Sequence, residues 1–152
     1  MKIYASNDLA AAPGDSVETL RIANDADLGA LAADGALQRA GRIELEFPKF
    51  TDGRAFSQAV MLRRRYRFGG DLRATGDVLI DLLVHMQRSG FSSAVLAEGV
   101  NADAAQRQFA RYGAFYQGDA LDARPLFARL DGGADAAHGA ALHARAAAGA
   151  AA

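Results

Sequence analysis

The chain has 152 residues, a formal net charge of -1 at pH 7 and no cysteine. That length suits one domain with its own core, and the near-neutral balance gives no global field toward nucleic acid or a membrane surface. The lack of thiols excludes disulfides, thiolate metal sites, cysteine-ligated iron–sulfur clusters and thiol redox chemistry. The start "MKIYASNDLAAAPGD" has no continuous apolar segment and does not read as a secretory signal. No run is long enough to span a bilayer, so a soluble, cytoplasmic protein is expected.

Residues 1–16 read as a flexible lead-in. An α/β domain is expected over 17–130, and 131–152 as a disordered Ala/Gly-rich tail, because so few large apolar side chains cannot offset the entropy of ordering. Inside the domain, strand and helix patterns alternate. "VETLRI", with Val17, Leu20 and Ile22, is the first strand. "NDADLGALAADGALQRAG" follows as a helix capped by Asp25 or Asp27, weakened by Gly29 and Gly35 and ended by Gly41.

"RIELEF" is the second strand, with Ile43, Leu45 and Phe47 on one face and Glu44 and Glu46 on the other. Pro48 ends its pairing. Thr51 or Asp52 is expected to cap the next helix, on which Phe56, Ala59, Val60 and Tyr66 recur at helical spacing. "RRRYR" closes that helix, its cations complementing the dipole, and Gly69-Gly70 breaks it.

"DLRA" is the third strand. Asp77 is expected to cap a helix whose stripe is Leu79, Leu82, Leu83 and Met86, stopped at Ser89-Gly90. "SSAVLA" is the fourth strand. A helix capped near Asn101 follows, with Phe109 and Tyr112 inward, and "PLFARL" folds back on the body. Four βα units with short links imply a single α/β domain with a parallel sheet. Its form is half-TIM-barrel-like or small and flavodoxin-like, and a half-barrel is completed by pairing in a homodimer.

In such folds ligands gather at the carboxyl edge of the sheet, where helix N-termini also point. That edge carries Asn24 and Asp25, then Lys49, Asp52 and Arg54, then Thr75 and Asp77, then Glu98 and Asn101. Most of these also read as cap and turn residues. Lys49 and Arg54 escape that reading, because a cation at a helix start opposes the dipole. Lys49, Asp52, Arg54, Arg73 and Asp77 are therefore the candidate anion- or ligand-binding set.

Strand alternation places Arg21, Glu44, Glu46, Asp71 and Arg73 on the sheet face away from the helices. A parallel sheet covered on both faces reads as continuous apolar runs, and this one does not. That face meets solvent, lines a lumen or meets a partner. Asp77, Asp81, His85 and Arg88 share a side of the third helix and read as a solvated stripe. Arg63, Arg64, Arg65 and Arg67 read as a charged helix end. His138 and His143 sit in the weak tail. There is no GxGxxG after the first strand, no P-loop, no HExxH and no serine nucleophile elbow.

The span "RIELEFPKFTDGRAFSQAVMLRRRYRFGGDLRATGDVLIDLLVHMQRSGF", with the later "YGAFYQGD" and "PLFARL", resembles a bacterial group known as domain-of-unknown-function family 934. The matching positions are Phe47, Pro48, Phe50, Asp52, Gly53, Arg54, Ser57, Arg73, Gly76, Asp77 and Asp81. The resemblance implies a role in assimilatory sulfite reduction, beside whose reductase members tend to be encoded. It makes sulfite reductase the expected partner. The oxidoreductase label often given to members implies a loosely held flavin or nicotinamide, since this chain lacks redox machinery of its own. Two departures stand out. The family usually reads Asp-Gln where this chain has Asp81-Leu82, and often Arg-Cys-Gly-Phe where it has Arg88-Ser89-Gly90-Phe91.

Overall fold

A computed structural model describes residues 1–6, 17–112, 114–125 and 128. The remainder of the expected lead-in, the 131–152 tail and most of "PLFARL" lie outside the described residues.

Strands β2 (Thr19–Ile22), β3 (Arg42–Phe47), β4 (Asp71–Gly76) and β5 (Ser93–Val95) lie side by side in chain order, and β1 (Lys2–Tyr4) adds beyond β5. Every pairing is parallel. The α/β class with a parallel sheet is therefore as expected. The order of the strands separates the two forms: β2 to β5 advance in one direction, as in half a barrel, with no reversal of the flavodoxin kind. Right-handed crossovers that always step the same way place their helices on one face.

Sequence reading put Lys2–Tyr4 in the lead-in. They form an edge strand instead, in register Lys2–Ser93, Ile3–Ala94 and Tyr4–Val95. A three-residue strand with one inward apolar residue is too short for alternation to register.

Register aligns Ile22, Leu45, Ala74, Ala94 and Ile3 in one row across the helix-facing side. This row and its neighbours Ile43, Phe47 and Leu72 form the core with Leu62, Leu83 and Met86 from the helices. Phe47 is fully enclosed and lies at its aromatic centre. The Phe56 ring meets it edge-on at 5.1 Å and that of Phe91 lies tilted at 5.8 Å.

The expected first helix is split. Helix α1 (Leu28–Ala33) is capped by Asp27, whose carboxylate accepts from the amide of Gly29 at 2.7 Å. Gly35, at φ 78°, separates it from α2 (Ala36–Arg39). The left-handed backbone that Gly35 allows cannot continue a helix. Helix α3 (Arg54–Arg64) packs Ala55, Ala59 and Leu62 inward. A single tight turn at Ile80–Leu82 leads into α4 (Leu83–Ser89), which ends at Gly90 with φ 108°. Helix α5 (Ala102–Phe109) is capped by Asn101, which accepts from the Ala104 amide at 3.0 Å. Tyr112, expected inward, is exposed, because α5 stops three residues short of it.

Replacing Phe47 with alanine removes an aromatic ring from a site that cannot collapse around the space. A loss of about 3–5 kcal/mol is expected, read from urea unfolding. A loss under about 1 kcal/mol would show that the ring is not the packing centre described.

Candidate functional site

Two places carry polar chemistry: the carboxyl edge of the sheet and the sheet face away from the helices. At the edge, Asp52 is the hub. Its carboxylate accepts from Arg54 Nε at 3.0 Å, Arg54 Nη2 at 2.7 Å and the Arg54 amide at 3.2 Å. It also accepts from Asn24 Nδ2 at 2.7 Å, which ties the loop after β2 to the loop after β3. Asp52 was expected to cap α3. The cap position is Gly53, which makes no side-chain cap bond, and Asp52 one step earlier forms a fork with the arginine that starts the helix.

These bonds set the charge state. The side-chain and backbone hydrogen bonds from Arg54 hold the Asp52 carboxyl down at about 2. The same bond raises the Arg54 guanidinium. Arg54 is therefore already engaged by a carboxylate of its own chain.

Asp77 was expected to cap the third helix. Its carboxylate instead accepts from the Phe50 amide at 2.9 Å, joining the loop after β4 to the loop after β3. The backbone explains this. Gly76 sits at φ 88°, and a Cβ there would lie 2.4 Å from the Phe47 carbonyl oxygen. This glycine turns the chain back against β3, so Asp77 faces the neighbouring loop, and the helix begins only after a further turn.

Between these bridges the edge leaves Lys49 and Phe50 to solvent, as it leaves Asp25 and Glu98 on the outer loops. Lys49 is exposed and has no side-chain partner among the described residues. Phe50 is 49% exposed, while its amide is pinned by Asp77 and its loop is closed by the Asp52 amide donating to the Lys49 carbonyl at 2.9 Å. Sequence reading left Phe50 out of the candidate site. The available signal was an aromatic residue set among Pro48, Lys49 and Thr51, where a polar turn is the norm.

The fifth member of the expected set, Arg73, is elsewhere. It lies mid-strand on the face away from the helices, with only 1% of its surface exposed. Its Nε donates to Ser93 Oγ at 3.3 Å, Nη1 is 3.8 Å from Glu44 Oε1 and Nη2 is 3.5 Å from Asp71 Oδ2. Its guanidinium carbon lies 5.0 Å from the centre of the Tyr4 ring. Nη2 makes no hydrogen bond, so the Asp71 contact is an ion pair without hydrogen-bond geometry.

Around it, Asp71 accepts from Ser92 Oγ at 2.6 Å, Ser93 Oγ at 2.8 Å and Arg42 Nε at 3.0 Å. Burial pushes the Asp71 carboxyl up, but the bonds from Ser92, Ser93 and Arg42 outweigh it and hold the carboxyl below its ordinary value. Glu44 accepts from Arg21 Nε at 3.0 Å. The chain of charge runs Arg21, Glu44, Arg73, Asp71, Arg42, alternating in sign. At Arg42, Arg73 and Ser93 this face is buried, and at Arg21 and Glu46 it meets solvent.

The remaining candidates serve the fold. Arg63 donates to the carbonyls of Phe68, Gly70 and Gly90 at 2.7–2.9 Å. Arg64 donates to the Asp119 carbonyl and Arg88 to that of Gln117, strapping 114–125 across α3 and α4. His85, placed in a solvated stripe by sequence, packs on the Phe56 ring at 4.3 Å. Burial, and next the charge of Arg88, lower its pKa. His138 and His143 fall outside the described residues. Among the described residues, no group of three or more His, Asp or Glu is placed to hold a metal ion, and no helix is long and apolar enough to cross a membrane.

Two outcomes test this geometry. Because its folded pKa is depressed, Asp52 contributes stability that is present above the ordinary value of 3.8 and lost as pH falls toward about 2. A carboxyl-carbon NMR titration is expected to place Asp52 near that lower value, and Arg54→Ala to return it to the usual range; an unmoved titration in the variant would deny the fork. Arg73→Ala strands Glu44 and Asp71 beside a void and is expected to cost about 3–5 kcal/mol in chemical denaturation. A neutral outcome would deny the buried network.

The family described as "Bacterial protein of unknown function (DUF934)" matches residues 19–127. No curated protein matches the chain, and no solved structure does. The matched span runs from the first residue of β2 through β5, α5 and the strap beyond, taking in both polar regions apart from the contribution of β1. The chain belongs to this family of bacterial proteins of unknown function.

Proposed function

We propose that this protein is an accessory protein of assimilatory sulfite reduction that acts by docking to sulfite reductase through the rim of its sheet. The sulfur connection rests on the family. The docking mode rests on what the rim does with its charges. The carboxylates that would move protons, Asp52 and Asp77, are spent holding loops together. Asp52, bridging two loops with its pKa depressed by Arg54, is a poor general base near neutral pH.

The single observation that carries the proposal is the exposed pair held between those bridged loops. Phe50 presents its ring to solvent from a loop fixed by Asp77. Lys49 beside it is exposed as well. An exposed aromatic ring on a fixed loop is the kind of anchor that interface cores favour, and Lys49 beside it supplies a rim charge that acts on encounter. Holding the loop in place before contact reduces the entropy lost on association. Arg54, engaged by Asp52, contributes to the shape of this rim more than to anion capture.

Surface-immobilised sulfite reductase is expected to bind the purified chain at low salt. Phe50→Ala is expected to weaken binding about thirtyfold, as loss of a hot-spot aromatic does. Lys49→Glu is expected mainly to slow association and to remove part of its salt dependence. Absence of a complex at low salt, or unchanged affinity in both variants, would overturn the proposal.

A further inference from the structure

Where the sheet face away from the helices meets the carboxyl edge, a cleft of ≈ 550 Å³ opens over β2, β3 and β4, lined by Arg21, Glu44, Glu46 and Thr75 among others. That volume lies within the range of small-molecule sites. The cleft is on the opposite side of the sheet from the aromatic core, and its lining is charged.

The groups lining it are not equivalent. Glu44 is committed, accepting from Arg21 Nε and facing Arg73 Nη1. Glu46, one pleat repeat or ~6.6 Å further along the same face, is exposed and makes no hydrogen bond or ion pair among the described residues. Arg21 has 84% of its side chain exposed and uses only Nε on Glu44, so its two terminal nitrogens carry no bond among the described residues. Thr75 Oγ1 makes one long bond, donating to the Leu45 carbonyl at 3.5 Å, and keeps its lone pairs for another donor.

The cleft thus offers a free carboxylate at one end and a free guanidinium fork at the other. An anion alone would meet Arg21 but be repelled by Glu46. A cation alone would meet Glu46 but leave the Arg21 fork, whose charge Glu44 balances through Nε, unfilled. A small molecule bearing both charges satisfies both ends. From this geometry we infer that the cleft binds a free α-amino acid, its ammonium on Glu46 and Thr75 and its carboxylate on the Arg21 fork. A planar fork that takes two carboxylate oxygens at once supplies orientation as well as attraction. The committed Glu44 separates the two ends and keeps Arg21 turned over the face.

The test is thermal unfolding and calorimetry of the full chain with glycine, L-serine and L-glutamate, with acetate and ethanolamine as single-charge probes. At about 10 mM, where even millimolar affinity leaves most sites filled, at least one of the three amino acids is expected to raise Tm. Acetate and ethanolamine at the same concentration are expected not to. Glu46→Gln and Arg21→Gln, both at exposed positions, are each expected to weaken binding at least about tenfold. Phe50→Ala, in the docking loop, is expected to leave it unchanged. No response to any of the three amino acids, an equal response to a single-charge probe, or full binding in both cleft variants would overturn the inference.

Discussion

The structure depends on how it disposes of one buried guanidinium. Arg73 sits in the middle of the sheet, on a face that no crossover helix covers, and is almost wholly withdrawn from water. A charge taken out of water costs several kcal/mol unless partners surround it. Here Glu44, Asp71 and Ser93 surround it in the plane of the sheet, and the Tyr4 ring lies over it. Asp71 shares β4 with Arg73 and the other three come from β3, β5 and β1, so the network can form only when β1, β3, β4 and β5 are in register. An apolar face could slide by a residue pair at modest cost; an alternating row of charges cannot. The polar face therefore specifies the pairing that the helix-facing core stabilises.

That division of labour explains what the residues disclosed and what they hid. Alternation in "RIELEF" and "DLRA" was enough to sort Ile43 and Leu45 from Glu44, and Leu72 from Arg73, because a period of two is a local property. The parallel class followed from the repeated alternation of strand and helix. Lys2–Tyr4 were missed since their membership in the sheet depends on Ser93–Val95, a contact with no local signature. Burial of the polar face was hidden for the same reason. Arg73 and Glu44 look like solvated residues when each strand is read alone, and become a dry network only after lateral pairing.

At the rim, sequence located the right loops and misjudged the roles within them. Asp52 and Asp77 have the chemistry of caps, and local reading assigned them as caps. Both bridge to neighbouring loops instead. The cause is the backbone at Gly53 and Gly76, which leaves Asp52 one residue and Asp77 two residues before the cap position of the helical turn that follows. Loops fixed this way present Phe50 and Lys49 in one arrangement. Asp52 keeps its charge far into the acid range, so its fork with Arg54 persists through ordinary changes in pH.

The placement of β1 has a consequence for how the chain is made. Lys2–Tyr4 precede every other described strand in the chain, yet their sheet neighbour among the described residues is β5, the last of those strands. Until β5 has been made, β1 has no partner strand and Arg73 lacks its aromatic lid. Pairing β1 with β5 closes a loop that contains β2, β3 and β4, at an entropic cost that grows only slowly with that length.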